Sequence, residues 1–344
     1  MVGKANFPDG TSLTRLRLVI CYSPFQAYVW LLISQQKFII NIRVLYITSR
    51  DTSIDIFYVE KLRKSFEFVE YFVIRGRLWR SLPELKRRLN NLNVNGKEID
   101  LYLASFNTFF SMYIFNKLNI NSIFLFDDGI YSIISELERR PYRFNFKRFG
   151  FFRRIQYKIL LAEGNDQKIL NMVRKFYTLF PISQTLTERS LVEPIKMPVI
   201  DNVLNNEMVG IERETRIFIG DVVYELAPSM RRDYTNLLSI LHLDYYLPHP
   251  RSRNDGVVVK QSVIINEVAE EFIFRLLNTG HKVVVYSFSS TVLFTLGTHP
   301  ALIKLIIKHP DMANSSIFSI APSYEIGIVD YNVLIFEIES ESKV

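Results

Sequence analysis

The 344-residue chain has a single cysteine, Cys21, so no intramolecular disulfide can hold it together. That fits a reducing compartment. One thiol cannot build a structural zinc site of the usual thiolate kind, and no Cys/His cluster accompanies it. Glycine is scarce, at 13 residues, and the glycine-rich phosphate cradles are missing: there is no G-x-x-x-x-G-K-[ST] and no G-x-G-x-x-G. A G-x-S-x-G elbow is missing too. These gaps argue against a P-loop ATPase, a Rossmann dehydrogenase and an α/β-hydrolase. Spanning a bilayer needs about 20 mostly apolar residues in a row. The most apolar N-terminal stretch, "LRLVICYSPFQAYVWLLIS", is interrupted by Ser23, Pro24 and Gln26, and no secretory signal is visible.

What is present is apolar bulk. Hydrophobic residues make up 48% of the chain, with 27 Phe and 18 Tyr, enough for a sizeable core. The net charge of +7 suits nucleic acid, an anionic membrane surface or an acidic small molecule. The excess concentrates in "RRPYRFNFKRFGFFRRIQYK", residues 139–158, with eight basic residues and no acid. Such a stretch serves equally as a solvated helix face over core aromatics. As a binding element it suits an anionic leaflet, where rings enter the headgroup region, or single-stranded nucleic acid. No RNA-binding signature accompanies it, so the leaflet is the preferred partner and nucleic acid is not expected.

Apolar runs alternate with helical spacings. "RLRLVIC" reads as a buried strand, "SPFQ" as a turn with Ser23 as N-cap and Pro24 at the first helical position, and "FQAYVWLLISQQ" as the helix. "IINIRVLYI", "VEYFVIRG", "IDLYLAS" and "SIFLF" continue the strands, with helical stretches between them. Residues 134–205 read as largely helical and irregular, ending in a proline-punctuated linker. A second alternation follows. "TRIFIGD", "LDYYLPHPR" and "HKVVVYSFSS" read as strands, "INEVAEEFIFRLLNTG" as a helix stopped at Gly280, and "SSIFSIAP" and "YNVLIFEIE" as closing strands. The pattern predicts an α/β protein of two doubly wound, Rossmann-like domains, residues 1–205 and 206–344, facing a cleft.

Three strand ends carry candidate chemistry. Asp127, Asp128 and Gly129 follow "SIFLF", where open α/β sheets bind ligands, although an aspartate there also caps a following helix. His249, Pro250 and Arg251 follow "YYLP", and a histidine with an arginine fork can receive a phosphate. The pairs His299-Pro300 and His309-Pro310 follow no obvious apolar strand and read as loop or helix-start residues. Ser289 and Ser290 sit between a strand and a helical stretch, where they serve as an anion site or as a plain N-cap.

The order Asp-Asp-Gly, His-Pro, Ser-Ser resembles bacterial sialyltransferases. The wording "VICYSPFQ", "DLYLAS", "FLFDDG", "IFIGD", "YYLPHPR", "VAEEFIFRLL" and "VVYSFSS", spread over roughly residues 17–295, is similar to glycosyltransferase family 52. The resemblance implies a GT-B-like, metal-independent enzyme without a cofactor. Such an enzyme moves sialic acid from CMP-sialic acid to a galactose-terminated glycan, with inversion and an alpha-2,3 linkage. By resemblance His249 assists departure of CMP, with Pro250 and Arg251 beside it. Ser289 and Ser290 bind the phosphate, and Glu270 holds the ribose. The acceptor must lose a proton to a carboxylate. Asp221 ranks first for that role, Glu225 second and Asp128 third, while Asp127 and Gly129 shape the acceptor side or the turn. The expected products are bacterial surface glycans such as lipooligosaccharide, O-antigen or capsule. The expected address is cytoplasmic, peripheral on the inner leaflet through residues 139–158, and the resemblance allows a homodimer. Two other readings stand beside it: a GT-B enzyme using another nucleotide sugar, and a non-catalytic glycan- or nucleic-acid-binding protein.

Overall fold

The computed structural model describes residues 15–37, 39–76, 78–106, 108–129, 166–180, 191–197, 213–223, 226–249, 265–313 and 315–341. Pro250, Arg251, Glu225, the basic-aromatic segment 139–158 and the expected domain boundary at 205 lie outside them. The chain forms two compact units that part after Ile195.

The first unit runs β1 (Leu16–Cys21), α1 (Pro24–Gln36), β2 (Ile42–Thr48), α2 (Ser53–Ser65), β3 (Phe68–Val73), α3 (Leu82–Asn91), β4 (Glu98–Leu103), α4 (Phe109–Lys117), β5 (Asn119–Phe126), α5 (Asp166–Met172), β6 (Val173–Thr178) and β7 (Val192–Pro194). Its seven strands are all parallel, in the order β3-β2-β1-β4-β5-β6-β7. A parallel sheet covered on both faces needs strands that are apolar throughout. β1 meets that need: Leu18, Val19 and Ile20 are fully buried, each worth about 1.5–3 kcal/mol against exposure. Its one charged residue, Arg17, is 4% exposed and donates to the Ile40 carbonyl at 2.5 Å. β6 and β7 correct the expectation of a largely helical stretch over 134–205. "VRKFYT" places Val173, Phe176 and Tyr177 in the core, and its Lys175 pairs with Glu193 of β7.

The second unit runs β8 (Glu214–Ile219), α6 (Pro228–Ile240), β9 (Tyr245–Leu247), α7 (Ala269–Asn278), β10 (Lys282–Ser287), α8 (Val292–Thr295), β11 (Leu302–Lys308), α9 (Ile317–Ile320), β12 (Ile326–Asp330) and α10 (Tyr331–Glu341). Its five parallel strands are ordered β12-β11-β10-β8-β9, so the order reverses between β8 and β10. The expected helix stop holds. Gly280 has φ 85° just past α7, where its N–H reaches the Leu277 carbonyl.

Three expectations for this half are corrected. "YNVLIFEIE" is helix, not strand: Tyr331, Leu334, Ile335 and Ile338 line the face that packs on the core, a spacing of 3, 4 and 7. "SSIFSIAP" folds into α9 and a following 3-10 turn at Ala321–Tyr324, with Pro322 in its first turn. His309 does follow an apolar strand, β11, whose pattern is interrupted by Lys304 and Lys308. Lys304 is nonetheless buried, because its ammonium donates to the carbonyls of Gly297 at 2.7 Å and Tyr324 at 2.6 Å. The helix-start reading of His309 stands, since its ring accepts from the Asp311 N–H. Among the described residues no helix is long and apolar enough to cross a membrane.

Candidate active site

Ligands of open α/β sheets collect beyond the carboxyl ends of the strands, at the point where strand order reverses. In the second unit that point lies between β8 and β10. β8 leads into Gly220 and Asp221, and β10 leads into Phe288, Ser289 and Ser290. The Asp221 carboxyl, 4% exposed, reaches across and takes the serine loop in hand. Its Oδ1 accepts from Ser289 N–H at 3.1 Å and Ser289 Oγ at 2.5 Å. Its Oδ2 accepts from Phe288 N–H at 3.4 Å and Ser287 Oγ at 3.5 Å. Burial pushes the Asp221 carboxyl up to about 6 despite these donors. Its own N–H donates to the phenol of Tyr234, which lies 3.3 Å from the Tyr246 hydroxyl.

β9 flanks β8 on the other side and leads into His249. Gly220 lets it approach: a Cβ there would lie 2.9 Å from the His249 backbone nitrogen, 3.0 Å from Tyr246 Oη and 3.1 Å from the Leu247 carbonyl. The Gly220 N–H donates to that carbonyl at 2.8 Å. Three strand ends therefore meet at Gly220 and Asp221, one bearing half-buried His249 and another bearing half-buried Ser289 and Ser290. Ser289 spends its hydroxyl proton on Asp221. Ser290 Oγ accepts from Val292 N–H at 3.3 Å, so its hydroxyl proton is the one of the pair that can turn to a ligand. Glu270, in the first turn of α7, is 2% exposed and accepts from Thr295 Oγ1 of α8 at 2.7 Å. Burial raises its carboxyl above the usual range.

In the first unit the two aspartates behind β5 separate. Asp127 is fully buried and accepts from Leu179 N–H at 2.5 Å, tying the end of β5 to the chain after β6. Asp128 is exposed, and its Oδ1 accepts from Gln26 Nε2 at 2.7 Å. Desolvation by the surrounding protein pushes this carboxyl up to about 6, against the lowering bond from Gln26. Gly129 closes the turn at φ 85°, a conformation that favours glycine. Close by, at the ends of β1 and β4, the Tyr22 phenol lies 2.8 Å from Ser111 Oγ, which also receives Thr108 Oγ1 at 2.9 Å.

The sequence reading did not single out Gly220, Gln26, Ser287 or Thr295. The first two carried a usable signal: a glycine at the end of "IFIG", and the glutamine of the S-x-x-Q box in "SPFQ". Among the described residues no group of three or more His, Cys, Asp or Glu side chains gathers as a metal site would require.

Two all-parallel, doubly wound sheets with strand-end polar sites define the class: this is the GT-B type of glycosyltransferase fold. The GT-B domain of a sialyltransferase from Photobacterium damselae superposes with a TM-score of 0.50 at 12% identity, covering 92% of this chain and 99% of that one. The model of glycosyltransferase family 52 matches residues 41–311, and the chain belongs to that family. An N-acetyllactosaminide alpha-2,3-sialyltransferase of Haemophilus influenzae is 28% identical over 222 residues, 63% of this chain and 67% of that protein. A CMP-N-acetylneuraminate:beta-galactoside alpha-2,3-sialyltransferase of Pasteurella multocida is 22% identical over 318 residues, 87% of this chain and 93% of that protein.

Proposed function

We propose that the chain transfers sialic acid from CMP-sialic acid to a terminal galactoside, with inversion and an alpha-2,3 linkage. The observation that carries the reading is the junction of three strand ends at Gly220 and Asp221, with the histidine and the serine pair on either side. The names of the two relatives supply the donor and acceptor classes. CMP leaves as a phosphomonoester dianion, and donors held ready for the developing charge are the largest lever on such a step. His249 and the Ser290 hydroxyl are the proposed donors. Asp221 fixes the loop that presents Ser290, and Glu270, which the resemblance puts at the ribose, accepts from Thr295 of α8.

For the base the resemblance offers Asp221, Glu225 and Asp128, and Glu225 lies outside the described residues. Both Asp221 oxygens are occupied by loop donors and the side chain is 4% exposed. Asp128 is exposed, and its carboxyl, pushed up to about 6, is basic enough to take a hydroxyl proton at neutral pH. Departure of CMP by this route uses protein donors alone, so turnover is proposed to be indifferent to EDTA. We also propose that residues 139–158 dock the enzyme on the inner leaflet, where lipid-linked surface glycans are built. Flotation with anionic vesicles tests this, and undiminished binding after Arg148, Arg153 and Arg154 are changed to Ala would count against it.

CMP release from CMP-sialic acid in the presence of lactose is the test of the main reading. The expected result is turnover that falls about 100-fold or more in His249→Ala. Turnover of a UDP-sugar instead would transfer the reading to another nucleotide donor. No turnover of either would leave a binding protein.

A further inference from the structure

His309 lies just past β11, as Phe288 lies just past the neighbouring β10. Its imidazole is 3% exposed, and both ring nitrogens are in use. Nδ1 accepts from Asp311 N–H at 3.2 Å, capping the 3-10 turn Pro310–Met312. An accepting Nδ1 leaves the ring proton on Nε2, which donates to Asp233 Oδ2 of α6 at 3.1 Å. The ring also meets Phe288 edge-on, with centroids 6.1 Å apart at 75°.

Phe288, fully buried, opens the loop that carries Ser289 and Ser290. Its N–H donates to Asp221, and its ring stacks on Tyr234 with centroids 5.6 Å apart at 29°. The Tyr234 phenol in turn accepts from Asp221 N–H at 3.1 Å. Two consecutive side chains of α6 therefore converge on Phe288. Tyr234 supports it directly, and Asp233 holds the imidazole that packs on it. Asp311 is fastened to the same helix by Ser229 Oγ.

A helix start needs an acceptor, which Ser, Asp or Asn supplies more commonly than His. Filling the space beside Phe288 needs an apolar ring. A donor aimed at Asp233 serves neither purpose. An imidazole with its proton on Nε2 does all three at once, a combination that a plain cap or a plain core residue leaves unexplained.

We propose that His309 is a positioning residue for the donor site: oriented by Asp233, it steadies Phe288 and so fixes the loop that presents Ser290 to the leaving phosphate. This rests on the reading of the strand ends at β8 and β10 as the CMP site. His309 is buried and acts through Phe288, not on the substrate.

The test measures the Kd of CMP by isothermal titration calorimetry and kcat/KM for CMP-sialic acid with lactose. The proteins compared are wild type, His309→Asn, Phe288→Leu and the double variant, each at a temperature where its melting curve shows it folded. Asparagine keeps an acceptor for the cap while removing the ring and its bond to Asp233. In His309→Asn the Kd should rise, and kcat/KM should fall, by about tenfold. Because His309 acts through Phe288, the double variant should lose no more than Phe288→Leu alone. Unchanged Kd and kcat/KM in His309→Asn, or losses that multiply in the double variant, overturn the role of His309 and leave the CMP site in place. A wild type that neither binds CMP nor turns over CMP-sialic acid overturns the reading of that site instead. If either single variant loses its fold, Asp233→Ala decides, since it keeps ring and cap but frees Nε2. Wild-type kcat/KM in Asp233→Ala would overturn the proposal.

Discussion

Replacing Gly220 by Ala probes the junction on which the donor side depends. The added Cβ would sit 2.9 Å from the His249 nitrogen and 3.1 Å from the Leu247 carbonyl, both backbone atoms that no rotamer change can move away. Ordinary contact begins near 3.4 Å, so the end of β9 must retreat by about 0.5 Å. Overpacking of this kind costs about 1–3 kcal/mol. Stretching the 2.8 Å bond from Gly220 N–H to Leu247 weakens a contact worth about 1 kcal/mol. The two together come to about 2–4 kcal/mol, and for a unit of this size each kcal/mol lowers the midpoint by about 2–4 °C, so a fall of roughly 4–16 °C is expected by differential scanning fluorimetry. A misplacement of 1 Å at a reacting group costs on the order of 100-fold, so half that shift at His249 should lower kcat/KM about tenfold. An unchanged midpoint would refute the close approach. A lowered midpoint with unchanged kcat/KM in the folded enzyme would show that the approach is real and that His249 takes no part in the reaction.

Two further outcomes follow from the buried carboxylates. Asp221 is raised from 3.8 to about 6 in the folded chain. The folded state therefore binds the proton more tightly, and this group's contribution to stability falls as pH rises from about 4 to 6. The amount is on the order of 3 kcal/mol. Asp221→Asn should flatten that segment of the urea-unfolding profile, and a difference between variant and wild type that does not vary with pH would contradict the assignment. Thr295→Val removes the one side-chain donor that, among the described residues, meets the buried Glu270 carboxyl, at a cost of about 1–3 kcal/mol. Equal denaturation midpoints for wild type and Thr295→Val would rule out the brace.

Most of the sheet was legible because a parallel sheet buried on both faces needs strands that are apolar throughout. "RLRLVIC", "IDLYLAS" and "HKVVVYSFSS" advertise themselves in that way. β11 is hidden in the sequence because two lysines break its run, and Lys304 is tolerated through the carbonyls of Gly297 and Tyr324 in the flanking turns. α10 reads as strand in the sequence because "YNVLIFEIE" also satisfies a period of two, and packing on the core selects the helical spacing. At the site, His249, Ser289, Ser290 and the two aspartates were marked by their positions at strand ends. Their division of labour was not. Which aspartate is buried on Leu179 and which faces water depends on β6, a strand the sequence reading placed in helix. That Asp221 grips the serine loop depends on β8 and β10 being neighbours, which local patterning does not encode.

The most direct measurement is a crystal structure with CMP bound. The phosphate should lie within hydrogen-bonding distance, about 3 Å, of both Ser290 Oγ and a ring nitrogen of His249, with Asp221 still holding Ser289. A phosphate seated away from the ends of β9 and β10, or a His249 ring that never meets it, would contradict the account.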